Sequence, residues 1–171
     1  MLHPLTSIPR LIMCFSLLFL YGSCSKEDNP IQETAIYDFA SNPEVEFEKD
    51  QQYENDLLQA VNELLVSSGQ TPLIRNYQAD DVAFDHTLTM IEANTLHHNH
   101  FSERQAYFNS IGFQGVRENV GKGYSNPSDL IAAWLQSDEH KSAIESNSTH
   151  TGISVLKNED GVYFITQIYL K

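Results

Sequence analysis

Two helical repeats and two alternating runs organise most of this chain. In "YENDLLQAVNELLVSSG" the apolar positions Leu57, Leu58, Val61, Leu64 and Leu65 recur at helical spacing and the pattern closes on Gly69, which predicts an amphipathic helix with its stop. After "QTPLI", read as a loop, a second helix is predicted over about Tyr77 to Asn94, with Ala79, Ala83, His86, Met90 and Ala93 along one side. "ERQAYFNSIGF" reads as a short helix ending near Gly112, and "NPSDLIAAWLQS" as a helix with Pro127 in its first turn. Ser137 is placed to cap a further short helix running to Ile144. Towards the end, "HTGISVL" and "VYFITQIYL" alternate as strands, and "KNEDG" between them has the composition of a hairpin loop. Helices that precede and interleave with a small, mainly antiparallel sheet define an α/β sandwich.

A fifth segment raises a chemical question. If "GVRENVGKG" (115–123) is a strand, Val116, Glu118 and Val120 share one face and Glu118 points inward. An inward carboxylate is costly without a partner or a polar cavity. Two histidines share the property: His86 lies between Ala83 and Met90 on its helix, and His140 stands three and four positions before Ala143 and Ile144. Each alone is explained as a hydrogen-bonded core residue. Three inward polar groups on separate elements suggest a shared site, because a carboxylate fixes an imidazole tautomer and is stabilised in return.

The leading residues point to a compartment. Arg10 is followed by the apolar run "LIMCFSLLFL", short for a bilayer span and suited to a secretory signal. "YGSC" resembles the lipobox of bacterial lipoproteins, with Tyr21 in place of the usual aliphatic residue, so residues 1–23 are expected to be a signal peptide and Cys24 the lipidated residue. An ordinary signal peptide or an uncleaved anchor is the alternative. "SKED" then resembles the short acidic export tag of surface-exposed lipoproteins. Residues 24–50 are assigned to an acidic, extended tether, since residues 25–50 hold eight acidic and two basic side chains. Cys14 and Cys24 are the two cysteines, so the domain expected over 51–171 has no disulfide. That domain holds fifteen acidic and seven basic residues, which disfavours nucleic acid and anionic lipid as partners.

The segments "AFDHTLTM", "GVRENVGKG", "WLQSDEHKSAI", "THTGISV" and "YFITQIYL" resemble, in order and spacing, the CAP superfamily of cysteine-rich secretory, antigen 5 and pathogenesis-related-1 proteins, in its disulfide-free bacterial branch. The resemblance implies a three-layer α-β-α sandwich with a cleft lined by histidines and acids. Carried over, the cleft residues are His86, Glu118 at the "GEN" motif, His140 at the "SPGHR" motif, and His98 in "LHHNHF". The chain departs from the pattern with Arg117 for the "GEN" glycine and with "SDEHK" for "SPGHR". His97, His98 and His100 also read as a loop cluster with incidental metal affinity, or as a solvated turn.

Three functions follow from such a cleft. His86, His140 and Glu118 supply the ligand count of an open divalent metal site, zinc being the natural ion, although no compact metal motif is present. As a hydrolase, the cleft would use Glu118 as general base on peptide or cell-wall bonds; no nucleophile motif accompanies it. The preferred reading is a binding module for a peptide, glycan or lipid, the lipid being implied by resemblance alone. It would be tethered through Cys24 to the bacterial outer membrane, facing outward or into the periplasm. Tyr107, Phe108, Phe113 and Tyr124 are candidates for an apolar groove, with core packing as the plainer use, and Trp134 is expected in the core.

Overall fold

The computed structural model describes residues 45–171. The segments expected to be a signal peptide, a lipidated Cys24 and most of a tether therefore lie outside the described residues. Five strands and five helices follow in the order β1 (Phe47–Lys49), α1 (Gln51–Ser67), β2 (Ile74–Arg75), α2 (Tyr77–Glu92), α3 (Phe101–Ser110), β3 (Val116–Lys122), α4 (Pro127–Leu135), α5 (Asp138–Ile144), β4 (His150–Asn158) and β5 (Tyr163–Leu170). The helix starts have local causes. Asp50, Asn76 and Asn126 each accept a backbone N–H of the first turn with a side-chain oxygen, Pro127 follows at the first position of α4, and Ser137 caps α5.

The sheet runs β1-β4-β5-β3, with β2 parallel to one end of β4 and the other pairings antiparallel. Alternation along β4 and β5 divides the core between two faces. Ile153, Val155, Ile165 and Tyr169 pack with Leu57, Val61, Leu130, Trp134 and Ile144 from α1, α4 and α5. On the opposite face Ile168 and Leu170 meet Ala79, Ala83 and Phe108 from α2 and α3, while Leu156 and Phe164 meet Met90 and Ile91 from α2. This is the three-layer α-β-α sandwich. Phe108 is fully buried, Tyr107 and Phe113 pack around it, and Tyr124 packs against the α1 side, so these aromatics serve the core. Trp134 is buried and donates its indole N–H to the Val120 carbonyl at 2.9 Å.

Two strands escape the hydrophobic pattern, and one of them corrects a boundary. β1 lies within the stretch assigned to the tether, yet it pairs with Leu156, Lys157 and Asn158 of β4, and Asp50 caps α1. The folded part therefore starts before residue 51. β2, inside the segment read as a loop, pairs with His150 and Thr151. Between these two short strands the outer edge of β4 has no strand beside it among the described residues, and side chains take its place. Asp80 accepts the Ile153 N–H at 2.8 Å and the fully buried Glu54 accepts the Val155 N–H at 3.3 Å. Arg75 neutralises both carboxylates, reaching Glu54 at 2.7 Å and Asp80 at 2.8 Å. Buried main-chain donors need partners, and these acids provide them.

Close approach of α2 to β4 depends on Gly152. A Cβ there would fall inside the backbone of Ala79, which cannot move aside, whereas a Cβ at Gly121 would meet chiefly the tip of Leu130. Gly152→Ala is expected to destabilise by about 3 kcal/mol or more and Gly121→Ala by clearly less, as read from urea unfolding midpoints. Equal losses would show that the α2–β4 contact yields as readily as a leucine rotamer.

Candidate functional site

Glu118 occupies the position its strand alternation predicts, with its side chain only 1% exposed. What receives it is chiefly an arginine. Arg104 of α3, itself 1% exposed, forms a two-pronged pair, Nε to Oε2 at 2.8 Å and Nη2 to Oε1 at 2.7 Å. Its remaining arm donates to the Asn99 carbonyl at 2.7 Å, which anchors the loop before α3. Arg104 reaches the acid because it lies on the buried stripe of α3 with Phe108, three positions after Phe101. Phe101, Arg104 and Phe108 are spaced three and four apart, so the inward arginine carried a signal in the sequence that charge alone obscures.

Two imidazoles complete the group. His98 donates Nδ1–H to Glu118 Oε1 at 2.8 Å, and His86 Nε2 lies 3.5 Å from the same oxygen. His86 Nε2 is 3.0 Å from the His97 carbonyl. A carbonyl only accepts, so Nε2 of His86 carries the proton. Burial pushes the His86 pKa down to about 4; Glu118 opposes that shift, and the Arg104 cation reinforces it. His86 is thus a neutral donor at physiological pH. Burial alone would raise the Glu118 pKa, but the His98 hydrogen bond, His86 and Arg104 together hold it below the ordinary glutamate value.

The site has a layered form. Glu118, Arg104 and His86 are buried, whereas the His98 side chain is 48% exposed, so solvent meets the imidazole that the acid orients. A cavity of about 280 Å³ opens here, lined by His98, Phe101, Gln105, Glu118, Glu139 and Ala143 among others. Its walls come from α3 on one flank of β3 and α5 on the other.

His140 is the candidate that the structure keeps apart. It sits on α5 across β3, half-buried, with no hydrogen bond or ion pair to Glu118 or His86. Burial and His98 lower its pKa, while Glu139 opposes them. The cavity is lined by its neighbours Glu139 and Ala143 rather than by His140 itself. The His140 backbone carbonyl accepts from Asn119 Nδ2 at 3.1 Å, which ties α5 to β3.

A divalent metal at His86, His140 and Glu118 does not fit these donors. Glu118 is taken by a guanidinium, His86 presents a proton rather than a lone pair, and His140 is on the other flank. Among the described residues no three His, Cys, Asp or Glu side chains are grouped to hold a metal ion.

A sandwich of this topology has known relatives. The family model for CAP, the cysteine-rich secretory protein family, matches residues 37–169. The chain belongs to this family. In structure it is similar to an outer surface protein from Borrelia burgdorferi, with a TM-score of 0.66 and 21% identity over 74% of this chain and 98% of that one. It is also similar to a cysteine-rich secretory protein from Staphylococcus aureus, with a TM-score of 0.57 and 21% identity over 70% of this chain. An extracellular protein containing an SCP domain from Bacillus anthracis gives a TM-score of 0.59, again at 21% identity over 70% of this chain. The chain spans 38% and 40% of those last two proteins. No curated protein matches it in sequence.

Removing one member of the buried pair should reveal its cost. Arg104→Ala leaves Glu118 charged and unpaired, with an expected loss of about 3–5 kcal/mol in urea unfolding, and adding Glu118→Gln should recover part of it. Additive losses would show that the two side chains do not act together. The histidine gives a pH signature. The unfolded chain takes up a proton near the ordinary value of 6.5, while folded His86 resists until about 4. Stability therefore falls as pH drops through that window, by on the order of 3 kcal/mol, and His86 adds no further loss below it. His86→Gln, which keeps a donor for the His97 carbonyl, should flatten the urea midpoint between those two pH values.

Proposed function

We propose that this chain is an extracytoplasmic, lipid-anchored CAP-domain protein whose cleft beside β3 binds a ligand, a peptide, glycan or lipid, without turning it over. One observation carries the reading: the carboxylate at the base of the cleft is buried and already bound by a guanidinium and an imidazole. Glu118 accepts from Arg104 with both oxygens and from His98 with one, and its affinity for a proton is reduced. A general base needs a free lone pair and a proton affinity matched to its task. Glu118 is held by Arg104 in a side chain only 1% exposed and its proton affinity is lowered, so its work is to hold His98 and the floor of the cleft in place.

Placement outside the cytoplasm draws on the leader and "YGSC" before Cys24, and on relatives described as outer surface and extracellular proteins. Anchoring through a lipidated Cys24 and the tether following it would set the domain away from the bilayer, on the outer face or in the periplasm. Multiple acyl chains on one residue would make that attachment firm.

A hydrolase is the second reading because of one feature. Glu118 fixes the tautomer of His98 with Nδ1 protonated, leaving Nε2 as an acceptor without a protein partner among the described residues. An oriented imidazole at a cleft mouth is what acid–base chemistry on peptide or cell-wall bonds would require. The two readings separate in one experiment. The full chain is titrated with peptide, muropeptide and phospholipid panels under NMR observation, and the same panels are assayed for products. The expected outcome is ligand-induced shifts at His98, Phe101 and Glu139 with no turnover. Product formation that is lost in His98→Gln would reverse the assignment.

A further inference from the structure

The cavity beside β3 has an unusual floor. Val116, Arg117 and Glu118 all line it, although successive residues of a strand point to opposite faces. A single hollow touching three consecutive residues runs over the edge of the strand, not over one of its faces. β3 is the outermost strand at its end of the sheet. Glu118 supports the same geometry independently: its side chain is 1% exposed, yet the residue as a whole is partly exposed, so solvent reaches its peptide backbone.

The register tells which backbone groups look outward. Gly123 donates to the Tyr163 carbonyl, and β3 and β5 pair Val116 with Leu170 through Lys122 with Phe164. Odd-numbered residues of β3 therefore bond β5, and even-numbered residues direct N–H and C=O outward. Val120 obeys the rule, its carbonyl accepting the Trp134 indole. That bond closes the edge at one end. Before it, the N–H and C=O of Val116 and Glu118 have no hydrogen-bond partner among the described residues. Four main-chain groups in donor–acceptor order, spread over about 7 Å, are thus left at the floor of a cleft.

The geometry points to strand addition: an extended segment of another polypeptide lies in the cleft and pairs with the outer edge of β3 at Val116 and Glu118. This deepens the binding reading and rests on it. Alternating donors and acceptors at strand spacing are the complement of a peptide backbone, and neither a lipid chain nor a sugar ring repeats at that interval. Pairing with the β3 edge of a second copy of this domain is excluded by shape. The edge is recessed between α3 and α5, and a copy's own β3 carries the same flanking helices. Alternate side chains of the bound segment would meet His98, Phe101 and Gln105 on one flank and Glu139 and Ala143 on the other. The net charge of −13 favours a segment with basic residues.

The test uses the full chain and a random dodecapeptide library displayed on phage. Selected peptides are resynthesised with each amide in turn N-methylated, and amide hydrogen exchange of the protein is followed with and without peptide. Strand addition predicts that N-methylation weakens binding about tenfold or more at every second central position and little at the positions between. It further predicts that the Val116 and Glu118 amides gain protection of about tenfold or more, while Arg117 and Asn119, already bonded to β5, change little. Gln105→Trp, at an exposed wall position, should block the same peptides. Peptides that shift His98 and Phe101 without alternation, or without protecting Val116 and Glu118, overturn strand addition and leave the binding reading intact. Strand addition falls equally if the library yields nothing while a muropeptide or phospholipid occupies the cleft, or if protection at Val116 and Glu118 rises with protein concentration alone. Failure of all three ligand classes at the cleft overturns both.

Discussion

The buried ion pair between Arg104 and Glu118 is the constraint around which the cleft is arranged. Isolated, either charge would be intolerable where it lies, and each is tolerable only because the other meets it with two parallel hydrogen bonds. The pair fixes more than itself. Through Arg104 it sets the docking of α3 on β3, through the Asn99 carbonyl it holds the preceding loop, and through that loop it brings His98 to the carboxylate and His97 to His86. A helix, a strand and a loop are thus positioned by one charge pair.

The same device recurs at the opposite end of the sheet. There Arg75 satisfies Glu54 and Asp80, and the two acids in turn satisfy main-chain donors of β4. The difference lies in what is left over. Beside β4 the acids spend their spare lone pairs on the strand itself, and no main-chain donor is left open at Ile153 or Val155. Beside β3 the charges are consumed within the site, while the strand keeps the outward groups of Val116 and Glu118. Among the described residues one edge is sealed by side chains and the other is not. Open edges are ordinarily avoided because they recruit unwanted strands, and recessing this one between two helices restricts what can reach it.

Much of this was legible beforehand. The apolar spacing of α1, α2 and α4, the alternation of β4 and β5, and the turns between them report local geometry, which a sequence records directly. Glu118 and His86 betrayed themselves by interrupting apolar faces. β1 and β2 did not, since three and two residues carry no periodicity and their pairing depends on β4, about a hundred residues away. Arg104, Glu54 and Asp80 were passed over because charged residues on a helix read as solvated until the opposing element is known. His140 follows an inward pattern with Ala143 and Ile144, but α5 is two turns long and lies along the margin of the sheet. The side that buries those two therefore leaves His140 half-buried.

The sheet is also assembled in an unusual sequence order. Its two central strands, β4 and β5, are the last elements of the chain, and every other strand pairs with one of them. No strand pairing of this sheet can form before β4 and β5 have been made, because β1 and β2 pair with β4 and β3 pairs with β5. Synthesis from the amino terminus thus leaves the sheet unassembled until β4 and β5 emerge. Whatever must engage the chain before its sheet closes can do so until those two strands appear.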